Sequence, residues 1–193
     1  MWWNLSAKVS GKFPNPSISL WVRWGIGLWL VTLLSACESS VTPMGPVELN
    51  SRYNDEQPAL SGDGRWLAFV SNRNGKNEIV VYDIQERRFL QLSGLNGKGA
   101  IAESPSLSRT GRYIVYLSSI RGRPDIILYD RATRRSEILT QGYRSWLRNP
   151  HISPDGRYIV FETARRGQWD LEVLDRGTSV ELDIPDGSPV VNP

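Results

Sequence analysis

The stretch Pro150-His151-Ile152-Ser153-Pro154-Asp155-Gly156-Arg157-Tyr158-Ile159-Val160-Phe161 decides the fold, because the same phrase recurs at Pro58 to Phe69 and at Pro105 to Tyr116. Its turn glycines, Gly64, Gly111 and Gly156, lie 47 and then 45 residues apart. Counting from each of them, a second glycine follows after eleven residues (Gly75, Gly122, Gly167), an acid after fourteen (Glu78, Asp125, Asp170) and an aspartate after nineteen (Asp83, Asp130, Asp175). Self-similarity at this period marks an array or a propeller.

Outward from the phrase, each unit breaks into short apolar runs. In the first unit these are Arg65 to Val70, Glu78 to Tyr82 and Phe89 to Leu92. Runs this short, rich in β-branched and aromatic residues and bounded by Gly and Asn, read as strands. The Asp63-Gly64 and Asn74-Gly75 pairs favour tight turns with positive φ. Each unit is therefore expected to be a four-stranded antiparallel meander, and the fold class all-β. Four short strands per unit, stacked face on face, make the blade of a β-propeller. Runs such as Tyr113 to Leu117, with no polar face, fit central strands buried on both sides. A two-sheet sandwich is the competitor, but it does not call for identical turn chemistry in every unit.

The Ser-Pro-Asp-Gly-Arg phrase, with Tyr-Asp closing the third strand, resembles the blade repeat of the TolB family, periplasmic β-propeller proteins of the Tol-Pal system. The resemblance covers residues 55 to about 184. It implies three blades, at about 55–98, 99–144 and 145–187, and Ser188-Pro189-Val190-Val191 echoes the start of a further one. Related repeats occur in the propellers of prolyl-oligopeptidase-like enzymes. The chain departs from the family in two ways: residues 38–54 are too few for the family's N-terminal α/β domain, and three blades fall short of a closed ring. Open blade faces expose apolar patches of the kind that mark interfaces. Two chains closing a six-bladed ring as a homodimer is the favoured expectation, with an incomplete gene product as the alternative.

The first 36 residues read differently. Lys8, Lys12 and Arg23 precede the apolar run Trp24 to Leu34, no acid occurs before residue 37, and the layout is that of a secretory signal. Eleven residues are too few to span a bilayer as a helix, which takes about 20. Leu34-Ser35-Ala36-Cys37 matches the bacterial lipobox, which implies cleavage before Cys37 and acylation there. A diacylglycerol plus an acyl chain holds a protein on a membrane stably. An uncleaved anchor reaching back to Ile18 is the alternative. Residues 37–54, with their Ser, Thr, Pro and Gly, read as a flexible tether from the lipid. Glu38 rather than aspartate after the cysteine favours outer-membrane delivery by the same resemblance.

Of the 23 basic and 20 acidic side chains, three basics leave with the signal, so the exported part carries twenty of each. The apparent basicity belongs to targeting, and no nucleic-acid partner is expected. Catalytic residues are equally hard to assemble. His151 is the single histidine and Cys37 the single cysteine, no Gly-x-Ser-x-Gly elbow occurs, and no metal or cofactor is expected. His151 takes the place of Ala59 and Ser106 on the first strand of its unit, where a channel-facing ligand contact is the functional reading and an ordinary strand-start histidine the other. Asp83, Asp130 and Asp175 are expected to satisfy turn amides, and Arg65, Arg112 and Arg157 to pair with carboxylates between blades. Trp66, Trp146 and Trp169 are candidate sugar-stacking residues if exposed. The expected function is non-enzymatic binding of an envelope protein, with a carbohydrate sensor or ring enzyme as the rival.

Overall fold

The computed structural model describes residue 49, residues 51–119 and residues 122–184. The signal, Cys37, most of the tether and the start of a further blade lie outside these residues. The described residues fall within one unit spanning Pro46–Pro193, and all the strands among them pair antiparallel. Blade one holds β1 (Asp55–Leu60), β2 (Trp66–Ser71), β3 (Glu78–Asp83) and β4 (Arg88–Leu90). Blade two holds β5 (Ile101–Leu107), β6 (Tyr113–Ser119), β7 (Pro124–Asp130) and β8 (Arg135–Ile138). Blade three holds β9 (Leu147–Ile152), β10 (Tyr158–Thr163) and β11 (Asp170–Asp175). Each sheet is ordered as a meander, with strands neighbouring in sequence order.

The four-stranded expectation is met in blades one and two but not in blade three. Residues 180–183, the counterparts of β8, leave the sheet and cross to blade two, so β11 is an edge strand among the described residues. The turns follow the sequence. Gly64 and Gly75 adopt φ of 71° and 85°, a region that costs a side chain but not glycine. The first strand of every blade also carries a residue in the left-handed region that the sequence did not announce: Gln57, Ser104 and Asn149, each just before a proline. Register shifts accompany them in β1, β5 and β9, marking a repeated β-bulge.

Strand alternation sorts the side chains into two faces per blade. One face of blade one (Trp66, Ala68, Val70, Ile79, Val81) packs on Leu107, Ile114, Tyr116, Ile127 and Tyr129 of blade two. The opposite face of blade two (Tyr113, Val115, Leu117, Ile126, Leu128) packs on Leu147, Ile152, Ile159 and Phe161 of blade three. Fully burying one such side chain contributes about 1.5–3 kcal/mol, whereas an exposed ion pair contributes about 0–1. Packing between blades therefore holds the assembly, and the pairs at its rim refine it.

At each joint an aromatic ring meets the turn glycine of the next blade. A Cβ on Gly111 would stand 2.8 Å from the Trp66 ring, and one on Gly156 would stand closer still to Tyr113. Gly75 has a similar φ but open space around it. Alanine at either kind of site meets a left-handed backbone cost of about 1–2 kcal/mol, and only at the joint does overpacking add about 1–3 kcal/mol more. Urea unfolding should accordingly show Gly156→Ala losing clearly more stability than Gly75→Ala. Equal losses would contradict this joint.

Candidate binding face

The Ser-x-Asp-Gly turns line one edge of the blades. In blade one, Ser61 donates to Asp63 at 2.5 Å while the Arg65 and Trp66 amides donate back to Asp63 and Ser61. Blade three repeats the arrangement with Ser153, Asp155, Arg157 and Tyr158. In blade two Thr110 replaces the aspartate, and the missing carboxylate arrives from elsewhere. Asp183, itself buried, accepts from Ser108 Oγ at 2.6 Å, from the Thr110 amide at 2.7 Å and from Thr110 Oγ1 at 2.5 Å. Glu181 joins it, with its carboxylate 2.6 Å from Arg112 and its carbonyl accepting from Tyr113. Residues 181–183 thus strap blade three to blade two, which explains why they form no fourth strand. The only sequence trace of this strap is the break in the repeat at Thr110.

Arg65, Arg112 and Arg157 pair with Asp83, Asp130 and Asp175 at 2.9, 3.3 and 2.9 Å. These three pairs lie within blades, because strand pairing sets each arginine beside the aspartate of its own hairpin; the pairing between blades that the sequence suggested is met at Arg112, through Glu181. The same aspartates accept turn amides: Gln85 and Glu86 on Asp83, Ala132 on Asp130, Gly177 on Asp175. What does reach between blades is the arginine that follows. Arg131 lies 3.8 Å from the Trp66 ring centroid and donates to the Gly111 carbonyl, and Arg176 lies 4.4 Å from Tyr113 and donates to the Gly156 carbonyl. Trp66 is a buried joint residue and unavailable to sugar. Trp169 is half exposed but carries Arg148 over its ring at 3.9 Å.

The outer face of blade three is where apolar surface lies open. Direct pairing of β10 with β11 places Tyr158, Val160 and Glu162 opposite Asp175, Val173 and Leu171. Leu171 is 75% exposed, Val173 65% and Tyr158 39%. His151 pairs with Val160 from β9 and is exposed beside them. Glu162 is held by Arg148 at 2.6 Å and by Asn149 at 2.9 Å, so its charge is matched. Away from this face, Gln141, Tyr143, Arg144, Trp146 and Arg165 line an open cleft of about 710 Å³. Among the described residues no cluster of His, Cys, Asp or Glu could hold a metal.

The family model described as the TolB beta propeller domain matches residues 48–191. The chain belongs to the TolB β-propeller family. Among solved structures, TolB from Acinetobacter baumannii is 25% identical with a TM-score of 0.56, over 68% of this chain and 32% of that one. A putative TolB from Agrobacterium tumefaciens is 22% identical with a TM-score of 0.52, over 67% of this chain and 48% of that one. A puromycin-hydrolyzing peptidase of Mycobacterium tuberculosis shares the blade fold at 14% identity and a TM-score of 0.50, over 65% of this chain and 20% of that one. The chain thus spans a third to a half of the TolB structures it resembles. No curated protein sequence matches it.

Hydrogen bonds from Arg157, and then the Gly177 amide, hold the Asp175 carboxyl down from 3.8 to about 2. Because the folded value lies below the unfolded one, the pair stabilises fully above pH about 4 and its contribution fades as pH falls toward 2. Acid titration of the unfolding midpoint should show this slope, weakened by salt because the pair is exposed, and Asp175→Asn should flatten it. An unchanged slope in the variant would contradict the assignment.

Proposed function

We propose that the chain is an exported, lipid-anchored, non-enzymatic module of the cell envelope that docks another protein through the outer face of blade three. The observation that carries this reading is the open apolar surface of Tyr158, Leu171 and Val173 on a sheet whose counterparts in the other blades are buried in joints. Apolar surface grouped in this way is characteristic of protein-docking sites, and the edge of β11, unpaired among the described residues, offers backbone groups beside it. The kinship with TolB proteins supports export, and Leu34-Ser35-Ala36-Cys37 supports acylation at Cys37 with outer-membrane delivery. The same kinship supports a part in envelope integrity of the Tol-Pal kind.

A second reading, a sensor for a carbohydrate or small acidic ligand, has the cleft at Trp146, Arg144 and Arg165 behind it. Arginines suit carboxylates and an exposed indole suits a sugar ring. One experiment in the producing cells separates the two. With a photo-cross-linking residue at position 173, membrane fractions should yield a discrete protein adduct that the same residue at Glu137 does not give, and Cys37→Ala should release the chain from membranes. No adduct, combined with a rise in the purified chain's Tm on adding acidic saccharides, would overturn the docking reading in favour of the sensor.

A further inference from the structure

We propose that the groove over the joint between blades two and three binds an acidic glycan, a chain of sugars bearing carboxylates, with Trp146 as its stacking platform. This ligand belongs to the cleft described above and is independent of docking at the blade-three face. Two hollows make the groove. The cleft of about 710 Å³ at Trp146 and Arg165 shares the wall Gln141 to Arg144 with a second, of about 460 Å³, that runs on to Arg123 and Ile138. An elongated ligand therefore suits it better than a compact one.

The first joint shows which features are particular to the second. Asn96 and Thr140 hold equivalent posts, accepting from the amides of Ile79 and Ile126, each fifteen residues after its turn glycine. From there Gly97-Lys98-Gly99-Ala100 leads into blade two. Gln141-Gly142-Tyr143-Arg144-Ser145 leads into blade three, one residue longer and with large polar side chains in place of glycine and alanine. Trp146 then stands where Ile101 does. Ile101 keeps 48% exposure although blade three packs on blade two, so the 56% exposure of Trp146 does not require the outer face of blade three to stay uncovered.

The groove is held in place by its own backbone. Arg123 donates to the Arg144 carbonyl at 2.7 Å, and the Ala164 amide donates to the Trp146 carbonyl at 3.0 Å. Glu172, reaching over from β11, is already engaged: it accepts from the Tyr143 hydroxyl at 3.0 Å and lies 3.3 Å from Arg165. Arg144 is exposed and pairs with no carboxylate among the described residues. A planar guanidinium takes a carboxylate through two parallel hydrogen bonds, and an exposed indole offers an apolar face to a sugar ring. Phosphate alone would satisfy the arginine and leave the indole unused, so the two together select a sugar acid.

Isothermal titration of the purified 193-residue chain, in a polyoxyethylene detergent, tests this with an alginate tetrasaccharide against neutral cellotetraose and inorganic phosphate. The alginate fragment, a uronate chain, should bind with a Kd below about 1 mM, and neither of the others should bind or compete. Trp146→Ala and Arg144→Gln should each weaken binding about tenfold or more. Arg144→Lys should recover only part of the loss, because it keeps the charge without the fork. Arg135→Gln, exposed on β8 and outside the groove, should change nothing. All three positions are exposed, so the variants should keep the parent Tm. No binding of the alginate fragment would overturn the proposal, as would equal losses from Arg135→Gln and Arg144→Gln, which mean unspecific charge attraction. Competition by phosphate with no effect of Trp146→Ala would overturn the sugar and leave a bare anion site. Docking is read separately, by the adduct at position 173: an adduct without alginate binding sinks the glycan alone, and binding without an adduct sinks docking alone.

Discussion

The structure depends on one contact, the seat of an aromatic ring on the turn glycine of the next blade. Trp66 on Gly111 and Tyr113 on Gly156 bring adjoining sheets close enough for their aliphatic rows to interdigitate. A Cβ at either glycine would crowd the ring above it, and a side chain there would also meet the backbone cost of a positive φ. Arg131 and Arg176 then roof the rings and tie themselves to the glycine carbonyls. A cation held over an aromatic face adds about 0.5–2 kcal/mol, a supplement to apolar burial several times larger in sum. The repeat phrase is thus the trace of a packing joint, its aromatic seated on the glycine of the next copy.

That is why so much of the fold was legible. Glycine and aspartate at fixed spacing name the turns, and uninterrupted runs such as Tyr113 to Leu117 name the strands buried on both sides. That Arg65, Arg112 and Arg157 pair with an aspartate of their own blade, Arg112 with Glu181 across blades as well, was not legible, because choosing between nearby carboxylates requires strand register. The bulges at Gln57, Ser104 and Asn149 carry no composition signal beyond the proline that follows each. The candidate face was hidden for a different reason. Leu171 and Val173 read as core residues by type and period, and only the absence of a covering blade among the described residues exposes them. His151 was singled out for a channel, and the register of β9 places it on that same open face.

Blade three departs from its siblings at the strap, and the departure is coordinated. Thr110 removes a carboxylate from the blade-two turn, and Asp183 returns one from 73 residues away, at the end of a segment that would otherwise be a fourth strand. Ser108 and Thr110 would be left short of a partner without it, and a buried hydroxyl or amide lacking one costs about 1–3 kcal/mol. The same segment frees the edge of β11. One local substitution in the repeat is thereby linked to the margin of the surface on which the proposed function rests: the turn edge gains a clasp, and the edge of β11 beside that surface goes unpaired among the described residues.

If the seat of the ring on the glycine sets the packing of adjoining blades, loosening one seat must loosen both sheets that meet there. Hydrogen exchange resolved along the chain measures this directly. In Gly156→Ala, amides of β6 and β10, the central strands on the two sides of the Tyr113 joint, should exchange faster than in the unchanged chain, while those of β2 change less. Exchange at β6 and β10 left unchanged by Gly156→Ala would contradict the claim that this contact sets the joint.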